Sequence, residues 1–110
     1  MKTISDRIPD LVETYIEFAT KRYCVNIDII EHGAEYHYDK VLIPAGKFDY
    51  SGVVDALVQY KYPIDKMQAV INNYLLDPED AYAIDEFNKM QEWRKEAKEI
   101  AKEVLLYELH

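Results

Sequence analysis

The final third of the chain, Pro78 to His110, carries apolar residues at Phe87, Met90, Trp93, Ala97, Ile100, Ala101, Val104, Leu105 and Tyr107, recurring every three or four positions. That period places them on one face of a long helix, and the stripe has to be covered by the rest of the fold or by another chain. Opposite charges fill the other side, with Asp85 and Lys89 or Lys95 and Glu99 four apart, and Glu92 and Lys95 or Glu99 and Lys102 three apart. Each such pair adds only about 0.2–0.5 kcal/mol, so burial of the stripe is what holds this helix in place.

A chain of 110 residues, 49% hydrophobic and 31% charged, fits one domain over residues 1–110 with one modest core. This composition excludes extensive disorder. Thirteen basic against 21 acidic residues leave a net charge of −8, which opposes direct binding to nucleic acid or to anionic lipid. No run approaches the roughly 18 apolar residues of a membrane span, and Asp6, Arg7, Pro9, Asp10, Glu13 and Glu17 interrupt any secretory leader. The single Cys24 has no internal disulfide partner. These features point to an intracellular, cytoplasmic protein.

Along the chain, Ser5 or Asp6 starts a first predicted helix, with Pro9 in its first turn and an apolar face of Ile8, Leu11, Val12, Tyr15, Ile16 and Ala19, running to about Arg22. From Tyr23 the period changes to two, with Val25, Ile27 and Ile29 alternating with Cys24, Asn26 and Asp28. His32-Gly33 supplies a turn and Glu35 to Ile43 a second strand, giving an antiparallel hairpin. Asp49 or Ser51 then opens a helix that ends near Tyr62, Pro63 opens another that ends at Asp77, and Pro78-Glu79-Asp80 opens the last. The predicted fold is α+β, a hairpin packed against about four helices in the order α-β-β-α-α-α. Two strands alone are marginal in water, so either helices cover the hairpin or a second copy extends it into a homodimer.

Candidate sites are few. Glu31, His32, Glu35, His37 and Asp39 gather five potential metal ligands at the hairpin, with Glu35, His37 and Asp39 on one strand face and His32 in the turn; a dependable site needs three or four converging in fixed geometry, and a solvated tip is the simpler reading. Gly46-Lys47 lacks the rest of a phosphate loop, and Ser5 and Ser51 sit where helix caps belong, so the residues point to no catalytic group, cofactor or metal. Cys24 reads as a packed thiol. The chain contains ten tyrosines, a side chain suited to surfaces that are buried in one state and wet in another. Tyr36 and Tyr38 share a strand face and Tyr60, Tyr62 and Tyr74 bracket Pro63, so these five and Trp93 form the candidate interface set, with a border of the core as the alternative.

The stretch YKYPIDKMQAVINNYLLDPED from Tyr60, followed by FNKMQEWRKEAKEIA from Phe87, resembles a recurring pattern in small proteins of bacterial phages and mobile elements. The resemblance implies an accessory protein that binds host or phage components, and brings no catalytic residues with it. Two function classes follow: a non-catalytic interaction protein, homodimeric through its sheet or terminal helix, or an acidic inhibitor that presents carboxylates where nucleic-acid phosphates would sit. The acids number 14 against 8 bases in residues 1–80 and 7 against 5 in residues 81–110, −6 and −2, which slightly favours a negative face outside the final helix. A third class, a metal-dependent enzyme centred on His32 and His37, requires an open coordination position.

Overall fold

The computed structural model describes residues 1–109 and contains a four-stranded antiparallel sheet and three helices. The strands are β1 (Lys2–Ser5), β2 (Val12–Glu17), β3 (Thr20–His32) and β4 (Glu35–Ile43), and they lie in the order β1-β4-β3-β2. The helices follow as α1 (Tyr50–Lys61), α2 (Ile64–Leu76) and α3 (Ala81–Leu109).

The β3–β4 hairpin, the two following helices and the long last helix lie where the sequence places them. The N-terminal helix does not exist. The span from Asp6 to Arg22 is instead a crossing segment, β2 and the start of β3, with β1 before it, so the described residues hold three helices and a sheet of twice the expected strands. The physical reason lies in Val12, Thr14 and Ile16, which alternate with Glu13, Tyr15 and Glu17: this run satisfies a period of two as well as a helical one, and its β-branched and aromatic residues suit a strand better. The two added strands also remove the instability of an isolated hairpin.

Because β1 and β2 occupy opposite edges, residues 6–11 must cross the sheet between them. Asn26 on β3 secures that crossing: its amide donates 2.7 Å to the Asp10 carbonyl, while its main-chain N–H donates 2.9 Å to the Leu11 carbonyl. A bulge interrupts β3 where Ile27 pairs with Asp39 but Ile30 pairs with His37, and Asp28 adopts a φ of 52° there. The bulge aims Asp28 at the end of α1, where its carboxylate lies 2.8 Å from the Lys61 ammonium.

One sheet face supplies Val12, Val25, Ile27, Val41 and Ile43 to the core, and α1 adds Val53, Leu57 and Val58. Met90, Trp93, Ala97, Ala101 and Val104 of α3 complete it, so the predicted stripe is the covered face over most of its length. Burying a side chain such as Leu57 or Met90 is worth roughly 1.5–3 kcal/mol, several times any surface ion pair on α3. Tyr107 departs from the expectation and is half exposed at the end of the helix.

Local signals set the helix ends. Asp49 caps α1 by accepting 2.7 Å from the Gly52 N–H. A Cβ on Gly52 would stand 1.9 Å from the Lys47 carbonyl oxygen, so only glycine lets the loop close onto this first turn. Pro63 precedes α2 and Asp77 follows it. Pro78 and Glu79 form a turn, and Asp80 accepts 3.2 Å from the Tyr82 N–H, so α3 starts three residues later than Pro78.

Candidate interaction site

β2 and β3 are joined by only Phe18 and Ala19, since Glu17 pairs directly with Thr20. A two-residue connection matches the strand twist when both residues have positive φ, and here they are 48° and 63°. Asparagine and glycine normally fill such a turn. For residues with a Cβ the left-handed conformation costs about 1–2 kcal/mol each. Among the described residues nothing offsets this cost through Phe18, which is 95% exposed. A large apolar group held out on a strained turn is the kind of outlier from which function is inferred.

The strand leading to that turn has an open edge. In a hairpin closed by two residues the pair beside the turn exchanges main-chain hydrogen bonds, and the alternation continues through Tyr15 with Arg22 and Glu13 with Cys24. The bond from Asn26 to the Leu11 carbonyl continues the same alternation. Val12, Thr14 and Ile16 therefore direct their N–H and C=O groups away from β3, along the edge. Proteins usually blunt such an edge with charge, proline or a bulge. Here Ile16 is 70% exposed, and the flanking acids are tied down within the sheet: Glu13 is paired with Lys40, and Glu17 accepts 2.7 Å from Arg22.

The end of α3 adds apolar surface beside this edge. α3 approaches the sheet along β2, and Leu11, Glu103, Leu106 and Tyr107 line a shallow, largely apolar concavity there. Leu106 is 58% exposed and Tyr107 51%.

The residues nominated from sequence are dispersed. Tyr38 is buried and Tyr36 half buried on the sheet face away from the helices. Tyr60, at the surface, donates 3.1 Å to Asp39, and burial followed by that bond raises its pKa. Tyr62 is buried in the core with the Lys66 ammonium 4.8 Å from its ring, and Tyr74 stacks on Phe87 at 4.3 Å. Trp93 lies inside the core beneath Lys61, whose ammonium is 4.0 Å from the ring centre. Read as a helix, this stretch puts Ile16 on a buried face and gives Phe18 no role; the alternation from Val12 to Glu17 is the signal that places both at the edge and turn.

Other reactive groups are less well placed. The His32 and His37 rings approach to 5.1 Å and Glu35 reaches His37 at 3.4 Å, yet among the described residues no three His, Cys, Asp or Glu side chains converge as metal ligands. Cys24 is buried near Glu13, and its pKa is raised chiefly by burial, which disfavours the thiolate. Among the described residues no helix is long and apolar enough to cross a membrane. Comparisons with protein-family models, curated proteins and solved structures gave no match.

Proposed function

We propose that this chain is a small non-catalytic interaction protein that binds other polypeptides through the β2 edge and the Phe18 turn. The observation that carries the reading is Phe18, exposed and left-handed at the end of a strand whose outer edge is open. An aromatic presented on the turn between two paired strands loses little backbone freedom when it enters a partner's pocket, and the outward N–H and C=O groups of Thr14 and Ile16 can accept an added strand. The resemblance to phage and mobile-element accessory proteins is compatible with this role.

The acidic-inhibitor reading calls for a continuous row of carboxylates. On the exposed face of α3, Glu92, Glu96, Glu99 and Glu103 alternate with Lys89, Lys95, Lys98 and Lys102, which breaks the row. This excludes the row from α3 and leaves residues 1–80, with 14 acids against 8 bases, as the place where that reading needs it.

Replacing Phe18 with Asn and Ala19 with Gly tests it, because these residues preserve the turn while removing the aromatic. Partner capture from extracts of the source cell is expected to fall at least tenfold while the fold becomes more stable. Capture that is unchanged in the stabilised variant overturns the reading.

A further inference from the structure

We propose that the β2 edge pairs with the β2 edge of a second copy of this chain, about a twofold axis at Thr14; this rests on the interaction reading and names the partner. An antiparallel neighbour bonds only to residues whose main-chain groups point outward, here Val12, Thr14 and Ile16. A twofold axis on Glu13 would bond only Val12 with Thr14 and set the two Glu13 carboxylates against each other, one on Tyr15 would bond only Thr14 with Ile16 and set Val12 against Phe18 in the turn, and an axis between two residues would pair an outward group with an inward one. An axis on Val12 would set Ile16 against Ile8 in the crossing segment, and one on Ile16 would set Val12 against Thr20 beyond the turn. Thr14 is the centre that uses the whole edge, facing its own copy while each Val12 faces the other chain's Ile16, for about six main-chain hydrogen bonds.

Side chains agree with this register. Val12, Thr14 and Ile16 share the helix-bearing side of the sheet, so each exposed Ile16 arrives beside the other copy's Val12, at the apolar concavity of Leu106 and Tyr107. On the opposite side Glu13 faces Tyr15, so no acid lies directly across from an acid. The edge is locally balanced because Lys40 and Arg22 already pair with Glu13 and Glu17. The whole chain still carries −8, so two copies repel at long range and salt strengthens the pair by screening. Dimerisation joins the two sheets into one and covers the β2 edge of each copy.

The test measures mass by light scattering across concentration and salt for the native chain, Thr14→Pro and Thr14→Lys. The Thr14 N–H makes no bond within the protomer, so proline is tolerated at this edge position while blocking the added strand. Lysine keeps the backbone intact and sets two like charges together on the axis. Each variant is expected to weaken the dimer at least 100-fold with an unchanged far-ultraviolet spectrum, and lysine decides the matter if proline prevents folding. In the native chain, amide exchange at Thr14 and Ile16 is expected to slow with rising concentration while that at Glu13 and Tyr15 stays constant. A native chain that keeps the mass of one copy at every concentration, or a dimer that survives the lysine variant, overturns the proposal. If self-pairing fails but the Phe18 and Ala19 replacement still abolishes partner capture, the interaction reading stands without it. If the Thr14 variants dissociate the dimer while capture ignores Phe18, self-pairing stands and the turn is not the anchor.

Discussion

The indole N–H of Trp93 donates 2.9 Å to the main-chain carbonyl of Leu57, tying α3 to α1 inside the core. This bond shows how the longest helix is held. The ring fills the space between the helices, its polar edge finds an acceptor, and Lys61 covers its outer face while also pairing with Asp28 on the sheet. One aromatic side chain thereby connects α3, α1 and the β3 bulge.

Trp93→Phe keeps most of the apolar volume and loses the hydrogen bond, so it is expected to destabilise the fold by about 1–2 kcal/mol. Trp93→Ala also opens a cavity and is expected to cost about 3–5 kcal/mol. Urea unfolding followed by circular dichroism measures both. Trp93 is the only tryptophan, so in the native chain its emission should shift to longer wavelength in the same transition. A red-shifted emission before unfolding would mean that the α1–α3 packing is wrong.

The strain at the β2–β3 turn predicts a gain from an ordinarily damaging kind of change. Phe18→Asn with Ala19→Gly relieves two left-handed residues, offset in part by the greater freedom of glycine in the unfolded chain. The net effect is expected to be about 1–2 kcal/mol of added stability, raising the thermal midpoint by roughly 4–10 °C. A lowered midpoint would show that Phe18 is packed against the protein after all.

Alkaline pH should weaken the fold through three groups that share a direction of shift. Burial raises the Cys24 thiol, the bond to Glu13 raises Lys40, and burial with the Asp39 bond raises Tyr60. Each holds its proton more tightly folded than unfolded, so its contribution is complete below the unfolded pKa and disappears as pH climbs through the folded one. The unfolded values are about 8.5, 10.4 and 10 for thiol, amine and phenol, which places the onset near pH 9. Stability measured from pH 7 to 11 is expected to be flat at first and then fall. Cys24→Ser should delay the onset by removing the group that titrates first.

Half of the fold could be read from residues whose partners lie nearby in sequence. Asp49, Pro63 and Asp77 mark helix ends through local chemistry, and the spacing from Met90 to Val104 states the face that α3 buries. Gly33, with a φ of 65°, marks the β3–β4 turn in the same way. The β2–β3 turn has no such mark, because Phe18 and Ala19 occupy positions where glycine or asparagine would have announced a hairpin. Pro9 suits the first turn of a helix as well as the segment that crosses the sheet between β1 and β2, so it does not separate the two. Nor could the tyrosines be sorted from sequence: Tyr60 and Tyr62 are two residues apart, yet one reaches the surface and bonds Asp39 while the other enters the core. That difference depends on where α1 meets β4, a contact between segments distant in sequence.

The crossing segment supplies a last prediction, since it occupies the first turns of the expected helix and links the two edge strands. Asn26 is buried, and its amide is the side-chain donor that meets the Asp10 carbonyl. Asn26→Asp keeps the size but, at neutral pH, sets a buried carboxylate against that carbonyl oxygen, for an expected loss of about 3 kcal/mol or more. Burial also raises the new carboxyl's pKa, and in its protonated form the acid again donates to Asp10. The variant is therefore expected to approach native stability near pH 4 and to lose it as pH rises from the unfolded carboxyl pKa of about 3.9 through the raised folded value. Asn26→Ala lacks the titrating group, so its deficit relative to the native chain should stay constant over the same range. Parallel urea unfolding of the three chains at pH 4.5 and 7.5 separates these outcomes, and an aspartate variant without pH dependence would show that Asn26 does not hold the crossing.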